Sequence, residues 1–351
     1  MAFDHELSLG GTDSYERNLF EPTEALLATA EEAGVPVVLF TDVLCAIKHE
    51  EWGIDEFVRP YRAQIVRALR AGHDAQLHLH PHWLTSQWSE GRFVPSRDFA
   101  LDDFSTQTSP YSIESIVANG THYLQELCES ADAAYRCRAF RAGGYNMAPS
   151  TERILRALYA NGIRIDSSLI RGFYFASGIS TIDFRGVTSA ANWCIPLEGP
   201  LDATASRGMF EVPIVSARRS PLNNVPFLVR RVVHRKRLRS DGGRSIHDAS
   251  TSKIEKMKRL FPRSAWSLSF DNYADRAKDL LAIFRSYVRA HRGEREIVCA
   301  SVSHPKSMGS HARDVMREFI ARAREVYGED LEFTTFSEIY GNTIAEPSGD
   351  K

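Results

Sequence analysis

The chain is patterned as alternating blocks of two periods. Helices are predicted over residues 22–33, with Pro22 near the first turn and Gly34 beyond the end, and over 54–71, stopping at Gly72. Between them, residues 35–40 form a continuous apolar run that ends in Thr41 and Asp42, the pattern of a buried parallel strand. Residues 74–80 alternate, with Leu77 and Leu79 on one face and His78 and His80 on the other, and run into Pro81. The same grammar continues with helix 112–130, strand 137–140, helix 149–161, strand 163–165, strand-like pieces including 210–215, helices 251–260 and 272–291, strand 297–302, helix 311–327 and strand 331–335. Repeated strand-then-helix units imply a parallel sheet with helical crossovers. Seven or eight such units close naturally into a barrel, whose chemistry sits at the C-terminal ends of the strands.

Length and composition narrow the picture. The chain has 351 residues, 43% of them hydrophobic, enough for one large barrel or two medium domains with a sizeable core. A net charge of −2 points to no acidic partner in bulk and no nucleic acid. The five cysteines, Cys45, Cys128, Cys137, Cys194 and Cys299, are scattered and odd in number, which argues for a reducing compartment. No apolar run is long enough to span a bilayer, and no signal peptide is visible, so the expected location is cytoplasmic. Only three residues precede Asp4, so the first strand is very short or the natural start lies upstream.

The polar residues at the strand ends carry the chemistry. His78, His80 and His82 fall within five residues at the end of the third strand. Imidazole is the usual nitrogen ligand for zinc, and three at this spacing read as metal ligands. His78 and His80 share a face and could chelate directly. His78 and His82 would lie about 13 Å apart on an extended chain and can share an ion only if it bends. Pro81 stands where that bend is needed, so the preferred reading takes His78 and His82 as ligands and His80 as a neighbour. Asp4 and Glu6 follow the first strand, Asp42 the second, Arg141 the fourth, Asp166 the fifth, and His304 a late strand. Residues 84–110 form a long polar and aromatic loop beyond Trp83, including Trp88, Phe93, Phe99 and Phe104. Such aromatics either stack on sugar rings on the substrate side or pack the loop onto its own domain.

Three segments resemble the polysaccharide deacetylases, the NodB-homology carbohydrate esterases: His78-Leu-His-Pro-His82, Phe140-Arg141-Ala-Gly-Gly-Tyr145 and Ser303-His304-Pro305. The resemblance covers roughly 3–170 and 295–340. It implies an α/β fold, a distorted (β/α)7 TIM-like barrel, spanning 1–351 as one domain with an irregular basic insertion at about 200–270. The family's two adjacent aspartates are not present, because His5 follows Asp4; Glu6 is taken as the carboxylate ligand, with His5 as the rival. On this resemblance Glu6, His78 and His82 hold Zn²⁺ or another divalent transition metal, whose bound water attacks an amide carbonyl. Asp4 is the general base, His304 the acid for the leaving amine, and Tyr145 supplies a backbone N–H to the oxyanion. Arg141 holds Asp4 ionised, and Asp166 pairs with Arg141 or His304. Tyr145, Trp83 and His80 line the substrate.

The implied activity is removal of an N-acetyl group from an amino sugar of a bacterial glycan or its precursor. A cytoplasmic enzyme would meet a lipid-linked or nucleotide-linked sugar. The basic segment 218–239, with Arg218, Arg219, Arg230, Arg231, Arg235, Lys236, Arg237 and Arg239, suits a peripheral contact with anionic lipid or a phosphate-bearing carrier. Its plain alternative is a solvated insertion. Rival functions are a deformylase or small-amide hydrolase on the same scaffold, a carbohydrate-binding pseudoenzyme, and an unrelated amidohydrolase barrel using His78 and His80.

Overall fold

A parallel sheet with one polar end organises the chain. The structure, a computed structural model, describes residues 1–218, 265–271 and 276–343, with positions 229 and 233 between them. Among these, the main sheet contains β1 (Ala2–His5), β2 (Val38–Asp42), β3 (Asp74–Leu79), β4 (Ala139–Ala142), β5 (Ile165–Asp166), β6 (Trp193–Ile195) and β7 (Met209–Glu211). Their order is β1-β2-β3-β4-β5-β7-β6. Every neighbouring pair is parallel except β7 with β6.

Beyond β7 the chain bridges to residue 300. Ile214 pairs in parallel with Ala300, and Val215 N–H donates to Ala300 C=O at 2.9 Å. Residue 303 in turn reaches β1, where Asp4 N–H donates to Ser303 C=O at 2.8 Å. Segment 300–303 therefore lies between the far side of the sheet and its first strand. The strand expected over 297–302 is reduced to this single bridge. Its backbone partners change from residue to residue, with Val302 N–H donating to Leu268 C=O at 3.0 Å, so no continuous ladder forms. Residues 331–335 form no strand either; Thr335 instead binds Glu338 at the start of the last helix.

Helices cover the outer faces, as the crossovers require. α1 (Glu21–Glu32), α6 (Ala277–Ala290) and α7 (Ser310–Tyr327) bury Leu26, Leu281 and Phe319 with Phe3 and Leu39 of the sheet. α2 (Val43–Glu51), α3 (Asp55–Arg70), α4 (Ile113–Glu129) and α5 (Thr151–Ala160) bury Phe57, Ile116 and Leu155 against Leu77 and Leu79. Each such side chain is worth about 1.5–3 kcal/mol when fully buried. α2 is a helix the hydropathy pattern did not reveal. The expected helix 251–260, most of the basic segment 218–239 and residues 272–275 of the next predicted helix lie outside the described residues. No helix among those described is long and apolar enough to cross a membrane.

The inward positions follow the two-residue period of strands and change character along them. Ala2 gives way to Asp4 and Glu6, Val38 and Phe40 to Asp42, and Ala139 to Arg141. At the N-terminal end, α8 (Phe336–Thr343) packs Phe336 and Ile339 against Val38 and Phe40. Ser337 fastens it there, its N–H donating to Asp74 Oδ2 at 3.1 Å. The sheet interior is thus apolar and plugged at one end, and ionic at the other.

Candidate metal centre

Three buried side chains converge at the ionic end: Glu6, His78 and His80, whose donor atoms lie within 4.8 Å of one another. Glu6 Oε2 is 3.1 Å from His78 Nε2 and in direct contact with His80 Nε2. Strand geometry explains the first two. Glu6 follows β1 on the inward register of Asp4, and His78 lies in β3 opposite Asp42. His5, one residue out of register, faces the other way; its Nε2 meets Gln64 Oε1 at 2.9 Å and its ring leans on Tyr61. Burial pushes its pKa down to about 4. Glu6, not His5, is the residue that meets the histidines.

His80, taken from sequence as a neighbour, belongs to the cluster, and His82, taken as a ligand, lies outside it. The cause is Pro81. It sits at φ −60° and ψ −22°, and the chain enters a single helical turn, His82–Thr85. His80 keeps the inward direction of the strand. His82 is carried around the turn onto Trp83 and Phe99, with ring centres 4.9 and 6.0 Å away. It is fully buried, and burial, with His80 adding, pushes its pKa down to about 3.

The surroundings set the tautomer and charge of the cluster. His78 Nδ1 is 2.8 Å from the Arg141 carbonyl, which can only accept, so Nδ1 carries the hydrogen and Nε2 is turned to Glu6. In the neutral ring that leaves a nitrogen lone pair facing a carboxylate oxygen, an arrangement completed by a cation or a proton between them. Burial works against charge on His78, and Asp4, Glu6 and Asp42 outweigh it, raising its pKa. For Glu6, burial is overcome by Lys306 and His80, and its carboxyl is held well below the usual range. One carboxylate and two imidazoles are a donor set for zinc or a neighbouring divalent transition metal, with positions left open for water.

A second layer holds these groups. Asp42 accepts the Trp83 indole N–H at 2.7 Å and the His80 backbone N–H at 3.3 Å, pinning the histidine turn. Trp83 is only 1% exposed, so it supports this turn and offers no face to a substrate. Gly143 is required where it stands. A Cβ there would lie 2.3 Å from Leu79 C=O and 2.7 Å from His80 Nδ1. Gly144 and Tyr145 follow at φ 57° and 62°, a left-handed pair that turns the chain over the site. Two of the loop aromatics pack inward, Phe93 lying 4.8 Å from Trp83 and Phe99 5.5 Å from His80, while Trp88 is exposed.

Asp4 and His304 flank the cluster. Arg141 Nη1–H donates to Asp4 Oδ1 at 2.6 Å, and the guanidinium also reaches the Ser167 and Ser301 carbonyls while lying over Phe40. Burial alone would raise the Asp4 pKa, but Arg141 and then His78 bring it below the ordinary value. His304 Nε2 is 3.6 Å from both Asp4 Oδ2 and Glu6 Oε1. Its other nitrogen donates to Asp271 Oδ2 at 2.9 Å, and its backbone N–H to Asp271 Oδ1 at 2.7 Å. Burial opposes its charge, and Asp271, Glu6 and Asp4 raise its pKa to about 9. Asp166 pairs with neither Arg141 nor His304. It accepts from Ser168 Oγ–H at 2.7 Å and shares a hydrogen bond with Glu211, its register neighbour on β7.

Two participants escaped the sequence reading. Lys306 Nζ donates to Glu6 Oε1 at 2.7 Å and to Leu7 C=O at 2.8 Å. Asp271 ends the alternating run Trp266-Ser-Leu-Ser-Phe-Asp271, the signal that could have marked it as another strand-end carboxylate. Lys306, two residues after His304, has no signature of its own.

No family model matches this chain, and no curated protein matches it. Among solved structures it is similar to that of a Mycobacterium smegmatis protein described as a putative polysaccharide deacetylase, at 14% identity and a TM-score of 0.45, over 92% of this chain and 77% of that one. At that level of similarity the residues, not the neighbour, decide the function.

Proposed function

We propose that this chain is a divalent-metal-dependent hydrolase that removes an acyl group from the nitrogen of an amino sugar. The observation that carries the reading is the meeting of Glu6 Oε2, His78 Nε2 and His80 Nε2 at one buried point, with His78 Nδ1 already committed to Arg141. The same reading takes the sheet, joined to β1 through segment 300–303, as a distorted (β/α)7 barrel with its site at the strand C-termini. Zinc is the proposed metal; when bound it supplies Lewis acidity and a water of lowered pKa.

The chain's own groups supply the proton traffic. Asp4 is kept ionised by Arg141 and accepts a proton. His304 enters as the cation; Asp271 holds its Nδ1 hydrogen, so Nε2–H is the proton it gives to the leaving nitrogen. An amine departs poorly without that proton, and acid help of this kind contributes about 10²–10⁴-fold. One group pushed toward its base form and one toward its acid form, facing each other across 3.6 Å, is the division of labour an acyl transfer needs. The Tyr145 N–H is the proposed oxyanion donor, worth roughly 3–4 kcal/mol in such a role.

The amino-sugar class rests on the resemblance of the Phe140–Tyr145 and Ser303–Pro305 segments; the His78–His82 segment adds nothing to it, because the cluster joins His78 to His80 and not to His82. A lipid- or nucleotide-linked precursor and a peripheral contact through 218–239 at the cytoplasmic face belong to the same proposal. The test is acetate release by zinc-loaded protein from free, nucleotide-linked and lipid-linked acetamido sugars. Turnover on one of these is expected. Full metal content without release from any would mean a sugar-binding protein, and formate release from formamido sugars alone would mean a deformylase.

A further inference from the structure

We infer that Lys306 is a positioning residue that makes Glu6 a one-oxygen ligand, which keeps a coordination position open for the reaction. The inference rests on the metal reading above and extends it to a residue that reading does not use. The two oxygens of Glu6 are divided between different partners. Oε2 faces both His78 Nε2 and His80 Nε2, while Oε1 is held by the Lys306 ammonium at 2.7 Å. Lys306 also donates to Leu7 C=O at 2.8 Å, so it fixes the backbone next to Glu6 as well as the carboxylate. The lysine is itself fixed by the 3-10 turn Pro305–Ser307 that follows His304, and its side chain is 12% exposed.

The physical consequence is a constraint on denticity. A free carboxylate beside a divalent cation can rotate to bind through both oxygens and so occupy two positions. With two imidazoles, a two-oxygen Glu6 would fill a four-coordinate shell and leave no place for water or a substrate carbonyl. An ammonium on Oε1 opposes that rotation, because the cation would have to displace a charge-assisted hydrogen bond of a largely buried pair. Segment 304–306 therefore serves the centre twice, with His304 on the acid side and Lys306 on the ligand side.

The test uses the full-length chain loaded with Co²⁺ alone, comparing wild type with Lys306→Met and Lys306→Gln. The readouts are visible d–d absorption and X-ray absorption at the cobalt edge. Wild type is expected to show a one-oxygen carboxylate and a bound water on the cobalt. Both variants are expected to bind cobalt stoichiometrically and to show two-oxygen Glu6 ligation with that water lost, so that the d–d bands shift and the edge data give two Glu6 oxygens in place of one. Unchanged spectra in either folded variant, or two-oxygen ligation already in wild type, would overturn the role of Lys306 and leave the metal site standing. No cobalt uptake by wild type would overturn the metal reading and this inference together.

Discussion

Asp4 and Glu6 at the β1 edge, and Asp166 and Glu211 across β5 and β7, are two pairs of fully buried carboxylates in the same sheet, on either side of Arg141. In the first pair each acid has its own cation. Asp4 has Arg141 at 2.6 Å and Glu6 has Lys306 at 2.7 Å, and both carboxyls are held below their ordinary pKa. In the second pair the acids lie side by side in register with no cation bonded to them among the described residues. Burial and mutual repulsion push the Glu211 pKa well above 4.5, and burial raises that of Asp166. Burial is common to both pairs, so it does not decide the charge state; the partner does. The first pair is a place for a cation and a base. In the second, Glu211 is pushed toward its protonated form and hydrogen-bonds Asp166, and the pair supports the strand ends through Ser168 and Leu169.

Breaking the first pair has the largest expected effect. Asp4→Asn keeps the shape and leaves Glu6, His78 and His80 in place, so zinc content should stay at wild-type level while turnover falls about 10²–10⁴-fold. Zinc analysis beside acetate release checks it; loss of metal would mean that Asp4, not Glu6, serves as the carboxylate ligand.

Neutralising the second pair sharpens the contrast at smaller cost. A carboxyl whose folded pKa is raised contributes stability that is complete below its unfolded pKa, about 4.5 for Glu211, and is lost as pH rises through the folded value. Glu211→Gln removes that proton from the balance. Wild type should therefore lose stability relative to the variant from about pH 5 upward, by at most about 1.4 kcal/mol per pH unit. Urea unfolding of both proteins from pH 5 to 8 measures the difference; parallel curves would show that Glu211 is ionised in the fold.

The strand-end residues were legible in the sequence because a strand's two-residue period is rigid. Once Asp4, His78 and Arg141 are placed at strand ends, their inward direction follows, and Asp4 does meet Arg141. The choice between His80 and His82 was not legible, because proline fixes φ and leaves ψ free. At ψ −22° Pro81 starts a helical turn and sends His82 sideways, and nothing in the local sequence sets that angle. Lys306 and Asp271 were missed for another reason: each acts on a residue distant in sequence, Asp271 on His304 and Lys306 on Glu6, 300 positions away. Trp83, read as a substrate face, is instead the indole that Asp42 anchors, and its burial depends on packing that no local pattern encodes.

The most direct test of the account is zinc affinity in full-length His80→Ala and His82→Ala, measured by competition titration against a chromophoric chelator. The cluster of Glu6, His78 and His80 predicts that His80→Ala loses stoichiometric zinc while His82→Ala retains it. Loss of zinc on removing His82, with binding intact after removing His80, would contradict it.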